Sequence, residues 1–168
     1  MKTKNLLFSL LLTICSIAFF SCKKNDTSNL QVNLTDAPAD FDEINVDIKQ
    51  VQVNLFDDST GWVSLNTNAK VYNLLSLQNG VQTALASGDL PTGMVKKIRL
   101  ILGSENTIVV NSVSLPLIIP SGSESGLKID LNKKLSSTIE NIVIDFDAAL
   151  SVKQEHDGYK LRPVLKIK

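Results

Sequence analysis

An all-β fold, an antiparallel Greek-key sandwich, is what the sequence predicts from Leu30 onward, on three observations. Apolar residues recur at every second position in short segments, the period of a half-buried strand. Gly, Pro, Asn, Asp and Ser punctuate those segments at intervals too short for ordinary helices. No segment sustains the 3.6-residue apolar period of an amphipathic helix.

Taken in order, Leu30, Val32 and Leu34 alternate with polar residues and form a first strand, turned by Asp36-Ala37-Pro38-Ala39-Asp40. In the second, Ile44, Val46 and Ile48 share one parity while Val51, Val53 and Leu55 share the other. One face must stay buried, so the slip at Lys49-Gln50 predicts a β-bulge or a bend between sheets. Asp57-Asp58-Ser59-Thr60-Gly61 turns the chain into a strand around Trp62, Val63 and Leu65. Val71 to Leu77 reads as extended up to Asn79-Gly80, and Thr83 to Ser87 is the one place where a helical turn is entertained. Leu90-Pro91-Thr92-Gly93 reverses direction into Lys96 to Leu102, with Ile98, Leu100 and Leu102 inward and Lys97 and Arg99 outward.

Thr107 to Val110 and Val113 to Leu117 flank Asn111-Ser112, the pattern of a two-residue hairpin. Pro116 marks an edge position, because it cannot donate to a ladder. Ser121 to Gly126 reads as a surface loop. Strands follow at Leu127, Ile129 and Leu131 and at Ile142, Ile144 and Phe146. A hairpin around Asp157-Gly158 closes the series, its second arm carrying Tyr159, Leu161, Val164 and Ile167. About seven to nine such strands suit a sandwich of immunoglobulin or transthyretin-like type.

The residues ahead of this domain are an address. Lys2 and Lys4 precede an apolar run from Leu6 to Phe20 that ends at Ser21-Cys22, the layout of an export signal. The run is too short for a spanning helix, and polar Lys23-Lys24-Asn25-Asp26 follows at once. A small residue before cysteine at this point resembles the bacterial lipobox, which implies cleavage before Cys22 and acylation of its thiol. Residues 1–21 are thus expected to be a lipoprotein signal peptide, 22–28 a lipidated cysteine and short tether, and 29–168 a single sandwich domain. Cys15 leaves with the signal and Cys22 is consumed, so no thiol remains for a disulfide. Two or three acyl chains suffice for stable anchoring, at about 0.8 kcal/mol per buried CH₂. The expected location is the bacterial cell envelope, as a membrane-anchored lipoprotein of the outer membrane. Lys23-Lys24-Asn25-Asp26 loosely resembles a surface-export signal, and the periplasmic and surface-exposed sides both stay open.

Composition narrows the partners. With 43% hydrophobic and 20% charged residues the chain suits one globular domain. Its 17 basic and 17 acidic groups cancel, so no basic field exists to hold nucleic acid.

Three constellations carry candidate chemistry. Asp36, Asp40 and Asp42, with Glu43 beside them, put carboxylates around one turn, and hard oxygen ligands in a flexible loop suit Ca²⁺. The plainer reading makes Asp36 an Asx-turn residue and the others solvated strand ends. Asp145 and Asp147 lie two apart on a predicted strand, where a carboxylate pair can act on a glycosidic bond. Their plainer reading is polar residues facing outward, opposite Ile144 and Phe146. Trp62 and Tyr72 make a sugar-stacking platform if both rings face solvent, whereas a Trp62 turned inward anchors the sandwich. His156 sits in a hairpin tip with no second His or spare Cys to complete a transition-metal site. There is no G-x-S-x-G elbow, and the Ser/Gly run at Ser121 to Gly126 lacks a phosphate-loop lysine.

Several segments in order also suggest a family. Leu34-Thr35-Asp36-Ala37-Pro38, Tyr72-Asn73-Leu74-Leu75-Ser76-Leu77-Gln78-Asn79-Gly80, Leu90-Pro91-Thr92-Gly93 and Ile98-Arg99-Leu100 are followed by Ser121-Gly122, Gly126-Leu127-Lys128 and Asp145-Phe146-Asp147-Ala148. In order and spacing they resemble the bacterial domain-of-unknown-function 4382 family over nearly all of residues 30–168, with Val95 where an aromatic is usual. The resemblance implies an exported or lipid-anchored β-sandwich and no assigned activity. The expectation is therefore a non-enzymatic binding or assembly module, held to the membrane by acyl chains on Cys22, whose partner is an envelope protein or a glycan. The alternative is a carbohydrate-binding lipoprotein for glycan capture. No cofactor is expected beyond the Ca²⁺ candidate.

Overall fold

In the computed structural model, which describes residues 27–56, 60–120, 126–136 and 139–168, the alternating segments become strands. The chain runs through β1 (Thr27–Asp36), β2 (Glu43–Asn54), β3 (Trp62–Ser64), β4 (Asn66–Thr67), β5 (Lys70–Asn73), a 3₁₀ turn at Leu74–Leu77, β6 (Thr83–Pro91) and β7 (Gly93–Leu102). It continues through β8 (Thr107–Val110), β9 (Val113–Ile118), β10 (Leu127–Leu135), β11 (Ile139–Phe146), the short helix α1 (Ala148–Ser151), β12 (Val152–Glu155), β13 (Gly158–Leu161) and β14 (Leu165–Ile167). The expected leader, Cys22 and most of the tether lie outside the described residues, as do Asp57 to Ser59 and Ser121 to Ser125 of the two expected loops.

The all-β sandwich stands, built from two sheets. One has the order β14-β11-β1-β6-β4; the other runs β10-β7-β2-β8-β9-β13-β12, with β3 and β5 also paired to β2. Both sheets are mixed rather than purely antiparallel, since β1 runs parallel to β11 and β9 parallel to β13. The strands exceed the expected seven to nine because several are two- to four-residue pieces split by bends.

Register explains the parity slip in β2. Its ladder with β7 shifts between Ile48 and Gln50, so Ile44, Val46 and Ile48 on one side of the bulge and Val51 and Val53 on the other are all fully buried. Asn111 and Ser112 both have positive φ between the paired Val110 and Val113, as a two-residue hairpin of the favoured twist requires. Pro116 is inside β9, but β13 pairs only with Leu117 and Ile118, so the missing donor falls where the second ladder has not begun. Three segments differ from expectation, the first being Ala148–Ser151, a short helix where none was expected. Leu74–Leu77 closes into a 3₁₀ turn because the Asn73 side chain accepts from the Leu75 amide and Leu74 and Leu77 both bury. Thr83 to Ser87 is strand, held between β1 and β4, which shows tertiary pairing overriding weak local preference.

One core fills the space between the sheets, with Leu30 and Leu34 of β1, Ile98 and Leu100 of β7 and Ile144 and Phe146 of β11 at 0% exposure. The sandwich has two distinct ends. Thr27 pairs with Pro91, Asn29 with Ile139, and Leu135 with Gly93, so the start of the described chain shares one end with the β6–β7 and β10–β11 connections. Asp36, Phe146 and α1 are at the other.

Candidate functional site

The far end carries the most unusual chemistry. In β1 the inward parity of Leu30, Val32 and Leu34 continues to Asp36, whose side chain is 2% exposed. Its Oδ1 accepts from the Ala148 amide at 2.9 Å, which ties the end of β1 to the start of α1, while Oδ2 has no hydrogen-bond partner. Burial pushes this carboxyl up to about 7, the nearby Asp145 and Asp147 charges push the same way, and the Ala148 and Ala37 amides oppose them. Asp36 can thus hold or release a proton near neutrality.

Asp145 and Asp147 do not face solvent as the alternation implied; they are 5% and 8% exposed. The outer face here is not open. Thr35, which pairs with Asp145, donates from Oγ1 to the carbonyls of Val81 (2.8 Å) and Leu77 (3.1 Å), drawing that loop over the sheet. On the other flank β14 pairs antiparallel to β11 and carries Lys166, with Lys168 directly after it. Lys168 Nζ is 2.9 Å from Asp145 Oδ2, and Lys166 Nζ is 3.4 Å from Asp147 Oδ2. Asp147 also caps α1 through Oδ1, which accepts from the Leu150 amide at 3.1 Å. Ser151 completes the knot, donating to the Asp147 carbonyl and accepting from the Val164 amide. Apart from Asp145 Oδ1, which is buried without a hydrogen-bond partner, these groups brace the chain, whereas a glycosidic bond would need an open cleft between the two carboxylates.

The Ca²⁺ candidates part company. Asp36 points into the interior, Asp40 is exposed, and Asp42 accepts from the Ser112 amide at 2.9 Å, pinning the β8–β9 hairpin. Among the described residues no three or more His, Cys, Asp and Glu side chains converge for a metal ion. The aromatic pair separates too. Tyr72 is 3% exposed, its hydroxyl donating to the Asn68 carbonyl at 2.5 Å. Trp62 is half-buried beside polar Gln52 and Ser64 on the outer face, and the Arg99 guanidinium lies 4.1 Å from its ring centre. Along β2 the two rings belong to positions 46 and 54, about 25 Å apart at 3.3 Å per residue. His156 is exposed in the β12–β13 turn.

A second buried carboxylate escaped the sequence reading. Asp47, fully buried in β2, accepts from the Glu105 amide through Oδ2 and faces Lys49 Nζ at 2.9 Å through Oδ1. That contact raises the Lys49 ammonium above its ordinary value. Asn106 closes the arrangement, accepting from the Asp47 amide and donating to the Gly103 carbonyl. Alternation puts Asp47 on the outer face, between inward Val46 and Ile48, and its cover comes from Glu105 and Asn106 far along the chain, so no local signal marked it. Beside this braced loop lies a cavity of about 340 Å³ lined by Gly103, Ser104, Asn106 and Pro116 to Ile119. A smaller one of about 240 Å³ lies under Ile119, Pro120, Leu161 and Pro163.

Among the described residues no helix is long and apolar enough to cross a membrane. A family model described as a domain of unknown function (DUF4382) matches residues 27–163. No curated protein and no solved structure matches the chain.

Proposed function

Starting from the fact that the chain belongs to the DUF4382 family, we propose that it is a cell-envelope lipoprotein that acts as a non-enzymatic binding or assembly module, tethered through Cys22 and presenting its far end to an envelope partner. The observation that carries the reading is the polarity of the sandwich. The described chain starts at one end, a few residues after Cys22, while the loops of the opposite end are held in fixed shapes by side-chain bonds to backbone. Loops fixed in this way lose little entropy when a partner docks on them. Exposed Val81, Val113 and Leu150 crown that end, with Asp40 and Asp42 among them, which suits a protein partner of mixed apolar and basic character.

The test is photo-crosslinking in the native bacterium, with the full-length chain carrying the crosslinker at Val81, Val113 or, as control, Lys128 on the sheet face. A discrete adduct from the first two positions and none from the third is expected. Adducts from all three alike would sink the reading. Glycan capture retains one supporting observation, Trp62 beside Gln52 and Ser64 on an outer sheet face. It predicts a thermal midpoint raised by polysaccharide and unresponsive in Trp62→Ala.

A further inference from the structure

Three exposed apolar side chains ring the N-terminal end of the sandwich. Ile139, 60% exposed, begins β11 beside Asn29 of β1. Met94, 38% exposed, is the second residue of β7 and pairs with exposed Lys134 of β10. Phe56, 72% exposed, follows Asn54, which pairs with Lys97; two residues further along, it stands level with the start of β7. The three residues come from both sheets, yet register brings them to the same end as Thr27.

The length of chain leading to that end identifies what covers it. Thr27 is five positions after Cys22, and at 3.3–3.6 Å per position the two are at most about 18 Å apart. An acylated Cys22 would hold Thr27 within that distance of the lipid and turn the end that carries Phe56, Met94 and Ile139 toward it. We propose that this end is a lipid-docking surface, with Phe56, Met94 and Ile139 entering the headgroup region and Lys134 reaching the phosphates, so that the sandwich stands upright on the membrane. The proposal rests on the lipoprotein reading. The apolar side chains drive the contact, since Lys133 at the same rim is already paired with Glu140 at 3.3 Å. The occupant is a phospholipid surface, and an anionic headgroup is not required.

The experiment uses the full-length chain, produced in a lipoprotein-processing host and reconstituted into phosphatidylcholine vesicles with brominated acyl chains. Because both cysteines lie at or before Cys22, single thiols are introduced as Met94→Cys or Ile139→Cys at this end and Val81→Cys or Val113→Cys at the other, each labelled with a polarity-sensitive fluorophore. All four positions are exposed, so folding is not at stake. Labels at 94 and 139 should be quenched several-fold more than those at 81 and 113. Equal quenching at both ends, with the protein vesicle-bound and its mass showing the acyl chains, overturns the docking proposal and leaves the anchor intact. A protein of unacylated mass that stays out of the vesicle fraction overturns the anchor and the docking together.

Discussion

Asp36 ends a strand whose parity sends Leu30, Val32 and Leu34 inward, and its carboxyl follows them into a place where ionising is costly. The folded state keeps this proton up to pH of about 7, whereas the unfolded chain releases it near 3.8. Between those values the folded state binds more protons, so the contribution of this group to stability falls as pH climbs and is lost above about 7. The thermal midpoint should therefore be higher at pH 5 than at pH 8. Asp36→Asn keeps an acceptor for the Ala148 amide and cannot ionise, so its midpoint should vary less over the same interval; a slope equal to that of the wild type would dismiss Asp36 as the titrating group. Parity alone could have put Asp36 inside, but its place in an Asp-Ala-Pro turn argued for an Asx-turn. Asp145 and Asp147 were read as outward because alternation says which face a residue takes and nothing of what later covers that face. Their cover comes from the Val81 loop and from Lys166 and Lys168, segments distant in sequence.

At the scale of single elements, the legible features were those encoded within about ten residues. The β2 bulge announced itself as a change of parity, and the β8–β9 hairpin as two turn-forming residues between alternating runs. The parallel β1–β11 ladder joins residues about 110 positions apart and leaves no local trace. Phe146, at the end of β11 and fully buried, was legible as core; Phe146→Ala should cost about 3–5 kcal/mol in denaturant unfolding, and a loss under about 1 would contradict its burial. Gly103 makes a sharper test of the Asp47 loop. A methyl group there would meet the Asp47 carboxylate and the Lys49 stem, so Gly103→Ala should lose about 1–3 kcal/mol through overpacking. An unchanged midpoint for that variant would mean that the loop is free to move away. β14 is a further case, because the family match ends at residue 163, before this strand begins, yet it carries Lys166, with Lys168 directly after it, the two lysines that neutralise the buried aspartates.

For the molecule as a whole, the sequence conveyed class and core but not the order of strands, since alternation records which face a residue takes and is silent on its neighbours across the sheet. The address is tested separately from the fold. Cys22→Ser should abolish incorporation of labelled fatty acid and leave the chain unprocessed or released from the membrane, while circular dichroism remains that of a β-protein with very little helix. Acyl label retained by that variant would reverse the assignment.

The position of β1 has a mechanical side. The strand that opens the described chain is an interior strand of its sheet, bonded along nearly its whole length to β6 on one flank and β11 on the other. A partner pulling on the far end, against an anchor holding Thr27, would load both ladders along the strand axis. Under that shear many hydrogen bonds must fail together, whereas a tether attached to an edge strand pulled sideways would let them open singly. Under the anchoring proposed above, the domain would bear tension along β1 through both ladders at once.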